Sequence, residues 1–96
     1  MEQELYKELN KQEYAECHRE NNEPFNARDQ DFFQGLFRNK YSLLSDKYLI
    51  VRVASPIIQV RKNNDSYYFI RINKRGHRYF KCDDLDGCKE WVDAIL

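Results

Sequence analysis

Tyr67-Tyr-Phe-Ile-Arg-Ile-Asn73, Lys74-Arg-Gly76, His77-Arg-Tyr-Phe-Lys-Cys82 and Asp84-Leu-Asp-Gly-Cys-Lys-Glu-Trp-Val-Asp-Ala-Ile-Leu96 read in turn as strand, turn, strand and closing helix. The two strand segments are dense in aromatic and β-branched residues, and Gly76 closes a turn between them. Asp84 suits a helix N-cap, and Asp83 and Asp86 add negative charge where a helix N-terminus favours it. The hairpin is strongly basic, which points to a binding module more than an enzyme.

Upstream, candidate strands 47–54 and 57–62 precede 66–73 and 77–82. They are separated by Ser55-Pro56 and Asn63-Asn64-Asp65, both turn chemistry. Connections this short predict an antiparallel meander. Asn26-Ala-Arg-Asp29 resembles a capping box, and Phe32, Phe33, Leu36 and Phe37 follow on one helical face. A helix of about ten residues is expected there, although Gly35 costs it about 1 kcal/mol against Ala. A first strand starting near Phe37 is the competitor. Residues 2–21 favour helix, with Leu5, Tyr6, Leu9, Ala15 and Cys17 as a thin apolar stripe, ending at Asn21-Asn22-Glu23-Pro24.

The expected fold is therefore α+β within one domain. Residues 1–24 form a helical N-terminal extension. Residues 25–96 form a β-rich core, a bent antiparallel sheet or partial barrel of four or five strands with a C-terminal helix packed on it. In a 96-residue chain the core is modest, and aromatics supply about a third of the apolar residues, so large rings carry it.

Net charge is zero but unevenly spread. Residues 1–31 hold nine acids against four bases, residues 47–81 nine bases against Asp65 alone, and residues 82–96 five acids against Lys89. A basic β region thus lies between acidic helical ends. No run approaches the roughly 20 apolar residues that span a bilayer. Three cysteines, an odd number, argue against a full disulfide framework and for reduced thiols in a cytoplasmic setting, with peripheral membrane attachment compatible with the basic region.

The closing segment resembles the end of a pleckstrin homology domain. That family's penultimate strand carries an aromatic-x-aliphatic pair, here Tyr68 and Ile70. Its last strand carries a large-x-small pair, here Phe80 and Cys82, and its final helix a Trp with aliphatic neighbours, here Trp91-Val92-x-Ala94-Ile95. The eleven-residue step from Phe80 to Trp91 suits a helix that returns the indole to the sheet. The resemblance covers about half the chain and is best in the last thirty residues. It implies a seven-stranded barrel and, for lipid-binding members, basic residues on the first two strands, positions that Arg28, Arg38 and Lys40 approach.

Alternation with a three-residue turn at Lys74-Arg75-Gly76 places Tyr68, Ile70, Ile72, Phe80 and Cys82 on one face. The other face then receives Tyr67, Phe69, Arg71, Asn73, His77, Tyr79 and Lys81. The basic set Arg61, Lys62, Arg71, Lys74, Arg75, His77, Arg78 and Lys81 is the candidate ligand-binding surface, for a protein partner first and an anionic lipid head group second. The bland alternative is a solvated turn whose charges guard an edge strand. Interleaved with bases, Tyr67, Phe69 and Tyr79 offer stacking platforms for a nucleic acid. Sheet-then-helix order also resembles the DNA-binding domains of phage integrase arms and plant ethylene-response factors. The opposing expectation is that the N-terminal helices cover this face, with Phe32, Phe33 and Leu36 on Tyr67, Phe69 and Tyr79. A phage- or virus-type inhibitor whose acidic helices mimic nucleic acid is a further alternative.

No chemistry-bearing motif competes. His77, Cys82 and Cys88 with Cys17 or His18 fit no zinc spacing, and no CxxC pair exists. Cys82 and Cys88 read as small core hydrophobes. No third group orients a Cys–His pair and no glycine-rich loop cradles phosphates. No catalytic residue, metal or cofactor is assigned.

Overall fold

From Tyr41 to Cys82 the turns are so short that each strand pairs with the one before it. The computed structural model describes residues 5–18, 23–38, 40–52, 57–63 and 65–95. In chain order these form β1 (Tyr6–Leu9), α1 (Lys11–His18), α2 (Ala27–Phe37), β2 (Tyr41–Ser45), β3 (Tyr48–Arg52), β4 (Ile57–Asn63), β5 (Ser66–Asn73), β6 (Gly76–Cys82) and α3 (Leu85–Ile95). The strands make one open antiparallel sheet of order β1-β6-β5-β4-β3-β2. The expected breaks at Asn21-Asn22 and Ser55-Pro56 lie outside the described residues, as do the outer parts of the helix expected over 2–21.

The α+β class and the C-terminal helix are as expected, but the described residues form six strands in place of the expected four or five. The sixth, β1, comes from inside the stretch expected to be helical. Asn10 sets that boundary. Its side chain accepts from the Glu13 amide at 2.7 Å, while the Glu13 carboxylate accepts from the Asn10 amide at 3.0 Å. This reciprocal cap starts α1 at Lys11 and releases Tyr6–Leu9 to pair with Tyr79–Cys82.

Two helices lie on one sheet face. On α2, the predicted capping box is present, with Asn26 and Asp29 bonding each other's backbone amides at 2.8 and 3.1 Å. Its Phe33 contacts Phe25, Phe37 and Tyr67, and Arg38 ends the helix at a left-handed φ of 50°. On α3, Asp84 accepts from the Gly87 amide at 2.8 Å as the expected N-cap. Trp91 then rests on Phe69 at 4.5 Å and Phe80 at 5.3 Å between ring centroids. With Leu49, Val51, Ile58, Val60, Cys82 and Cys88 these residues make the main core. On the opposite face α1 contributes Tyr14, which packs on Tyr68 and Tyr79 in a smaller cluster with Leu9.

The hairpin corrects the predicted faces. Lys74 and Arg75 make a two-residue turn, and Gly76, at φ 135°, is the first residue of β6 rather than the third of the turn. Asn73 therefore pairs with Gly76 and Phe69 with Phe80. A slip of one residue exchanges the faces of one strand. Tyr67, Phe69 and Arg71 consequently join Phe80 and Cys82, whereas Tyr68, Ile70 and Ile72 join His77, Tyr79 and Lys81.

Gly87 marks the tightest approach between α3 and the N-terminal segment. A Cβ there would lie 2.3 Å from the Leu5 carbonyl oxygen, a backbone atom that has no rotamer to escape through. At Gly35, inside α2, a Cβ would meet nothing within 4 Å. Gly87→Ala is thus expected to lower stability in urea titrations and to loosen β1, while Gly35→Ala raises stability by about 0.5–1 kcal/mol through helix propensity. Equal effects from the two substitutions would contradict this packing.

Candidate functional site

Among the described residues, clefts that gather polar side chains include one of about 260 Å³ lined by Tyr6, Lys7, Lys81 and Asp83 and two richer ones, a larger and a smaller, which differ in how fully their charged groups are committed. The larger, about 330 Å³, lies where α2 and α3 begin, and its lining includes Arg28, Asp29, Lys62, Tyr67, Asp84 and Asp86. At its floor Asp29 is 1% exposed and Lys62 is 6% exposed. Asp29 accepts from Lys62 Nζ at 2.9 Å, from the Tyr67 hydroxyl and from the Asn26 amide at 3.1 Å. Burial pushes its pKa up, but the bonds from Tyr67, Lys62 and Asn26 outweigh that and hold it below the usual carboxylate value. Burial and the Asp29 hydrogen bond raise the Tyr67 phenol well above its ordinary range, keeping it a donor. The carboxylate is thereby satisfied within the protein, and the arrangement ties α2 to β4 and β5.

The smaller cleft, about 270 Å³, lies at the closed end of the β5–β6 hairpin and is lined by Arg71, Asn73, Arg75, Gly76, His77 and Arg78. Its shape follows from the two-residue turn. Asn73 Oδ1 accepts from the Arg75 amide at 2.8 Å, which fixes the turn, and Arg71 lies directly across from Arg78. Like charges directly opposite on one face repel. On the next strand out, Glu8 relieves part of this, accepting from Arg78 Nε and Nη2 at 2.9 Å each. That fork lowers the Glu8 pKa and raises that of Arg78. Arg78 also stacks over the Phe80 ring at 5.2 Å. The Arg71 Nε is buried and meets no acceptor among the described residues.

The remaining predicted residues disperse. Lys62, expected at the surface, is buried against Asp29 because β4 turns it to the core face, opposite Tyr67. Arg61 goes to the opposite face, its guanidinium 4.6 Å from the Tyr48 ring centre. Lys81 also faces that side, with its ammonium 3.9 Å from Asp83. Lys74 and His77 are exposed at the hairpin end. The eight bases therefore do not form one patch; the structure brings together Arg71, Arg75 and Arg78, with Lys74 beside them and the His77 ring turned to the opposite face near Tyr79.

The stacking face expected for nucleic acid does not form as a unit. Tyr67 and Phe69 are buried in the main core, while Tyr79 lies across the sheet beneath Tyr14. The expected helical cover is thus real but shared: α2 takes Tyr67, and α1 takes Tyr79. Glu8 and Asp29 are functional neighbours that no sequence motif marks as such. Asp29 was legible as a cap, but its second role depends on β4 and β5. Glu8 becomes a partner only once β1 is a strand.

Cys82 and Cys88 are buried free thiols, as expected of small core residues, and burial pushes the Cys88 thiol far above its ordinary pKa. Among the described residues no group of three His, Cys, Asp or Glu side chains is placed to hold a metal, and no helix is long and apolar enough to cross a membrane. The side chains of Cys17 and His18 lie outside the described part. No family model, curated protein or solved structure matches this chain.

Removing one member of the buried pair strands the other charge, so Lys62→Met is expected to cost about 3–5 kcal/mol in urea unfolding. Lys62→Met with Asp29→Asn should recover part of that loss, and fully additive losses would show that the two residues do not act together. Because the folded Asp29 pKa is depressed, its contribution is complete above the unfolded value, about pH 4, and disappears as pH falls through the folded value. The stability difference between the parent and Asp29→Asn should accordingly shrink below about pH 4. A difference that stays constant across that range would refute the linkage.

Proposed function

We propose that this chain is a non-catalytic, pleckstrin-homology-like interaction module that engages a protein partner or a phosphate-bearing anionic ligand through the closed end of the β5–β6 hairpin. The observation that carries this reading is the convergence of Arg71, Arg75 and Arg78 on one cleft, with Lys74 exposed beside it. Among the described residues, the ion pairs offer this group a single carboxylate, Glu8. A surplus of guanidinium groups in a fixed frame suits recognition of carboxylate or phosphate, since each presents a planar fork of donors.

Several features support a binding role over a catalytic one. The most perturbed titratable groups, Tyr14, Tyr67 and Cys88, are buried and shifted toward their neutral forms. Asp29 already accepts from three donors. The pleckstrin-like part of the reading is supported by the last strand running straight into α3, whose Trp91 seals the sheet over Phe69 and Phe80. It departs from that family in having six described strands in an open sheet and a helix, α2, ahead of the meander. The charge reaches the ligand from the hairpin end, not from the first two strands of the meander.

Lys74→Glu with Arg75→Glu tests the surface without touching the core. Retention on anionic phosphatidylserine vesicles, and capture of any partner obtained with the parent chain, are both expected to fall at least about tenfold and to weaken with added salt. Unchanged retention by the charge-reversed protein, with an unchanged unfolding curve, would remove the hairpin from the function.

A further inference from the structure

Beside the hairpin cleft, on the neighbouring strand β1, an internal carboxylate occupies the place on Arg78 that a ligand would take. Glu8 holds Arg78 by two parallel bonds of 2.9 Å, which is how a carboxylate or phosphate is bound by arginine. Both partners are about half exposed, 47% for Arg78 and 48% for Glu8. An exposed pair of this kind contributes little net stability, so exchanging Glu8 for another anion costs the fold little. Among the described residues Arg71, across the hairpin on the same face, makes no ion pair, and its Nε is buried with no acceptor. Three arginines line the cleft, and among the described residues only Arg78 of the three is ion-paired, with Glu8, which leaves Arg71 and Arg75 as an excess of two positive charges. At about 270 Å³ the space is below the range of drug-sized ligand pockets and fits one small polar group.

We infer that the Arg71–Arg78 cross-strand pair is a binding site for a phosphate monoester dianion, and that Glu8 is its built-in competitor. A phosphate monoester carries close to two negative charges at neutral pH and three acceptor oxygens. It bridges Arg71 to Arg78 across the hairpin, and the Glu8 carboxylate swings from the guanidinium into solvent. Asn73 and the Arg75 backbone hold the turn that sets the spacing of the two arginines. This inference rests on the binding role proposed for the hairpin and assigns it a chemical class. A free phosphorylated small molecule and a lipid head group present the same phosphate chemistry to these arginines.

Titration of the full chain with inorganic phosphate at constant ionic strength, followed by amide chemical shifts, tests it. Saturable shifts confined to Arg71–Arg78 and to Glu8 are expected. Glu8→Gln should tighten binding by up to about fivefold, because an exposed competing ion pair is lost. Arg71→Gln should weaken it by at least about tenfold, as loss of a charge-assisted bond does. Affinity that is unchanged or lower in Glu8→Gln overturns the competitor role. If that variant releases β1, seen as lost cross-strand contacts between Tyr6–Leu9 and β6, Arg71→Gln alone decides, and unchanged phosphate affinity overturns the site. A soluble inositol phosphate and phosphatidylcholine vesicles doped with a phosphatidylinositol phosphate, run in parallel, separate the sources: tighter vesicle binding identifies a lipid-borne phosphate, equal or weaker binding a free one. Absence of phosphate binding, with charge-reversed Lys74 and Arg75 still abolishing vesicle retention, would sink this inference and leave the binding module intact. Absence of both effects would sink the two together.

Discussion

One buried carboxylate organises this fold. Asp29 begins as the third residue of a helix, where its reach back to the Asn26 amide is a local matter. The same side chain then receives the Lys62 ammonium from β4 and the Tyr67 hydroxyl from β5, thirty-three and thirty-eight residues further along the chain. A carboxylate this deep is tolerated only when its oxygens are fully used. Full use in turn requires α2, β4 and β5 to meet at one place. That requirement sets where α2 lies on the sheet, and so which face Phe33 and Phe37 fill and which face is left to α1.

The second constraint is the length of one turn. With two residues rather than three at the hairpin tip, odd positions of β5 share a face with even positions of β6. Phe69 is thereby set beside Phe80 beneath Trp91, and Tyr67 within reach of Asp29. The same register puts Arg71 opposite Arg78, a like-charge pair that Glu8 relieves on the Arg78 side. Core and candidate site are thus two ends of one ladder, and a change of register would dismantle both. β1 completes the ladder by carrying Glu8 alongside β6, so the N-terminal segment takes part in the electrostatics of a hairpin seventy residues away.

Much of this was readable from local patterns. The caps at Asn26 and Asp84, the aromatic face of α2, the meander and the closing Trp91 helix all depend on neighbours within a few positions, and periodicity reports such features well. The errors share a cause. β1 was hidden because Leu5, Tyr6 and Leu9 fit a helical stripe as well as a strand, and the Asn10–Glu13 cap that separates the two readings is short and unmarked by Gly or Pro. The faces of β5 were exchanged because Gly76 looks like the end of a turn when it is the start of a strand. Lys62 reads as a surface residue because lysines usually are, and nothing near it in sequence announces a buried acid.

By itself, then, the sequence determined the class of the fold, the starts of α2 and α3, the antiparallel order of the meander and the concentration of positive charge in the hairpin, since each follows from propensity or composition over a few residues. Only the tertiary structure decided which bases stand together. Lys62 was drawn inward by Asp29, Arg61 and Lys81 were turned to the far face by strand alternation, and Arg71 and Arg78 were set side by side with Glu8. The physical reason is that charge is a property of residues, whereas a site is a property of register, and register is fixed by contacts between strands that the chain brings together only on folding.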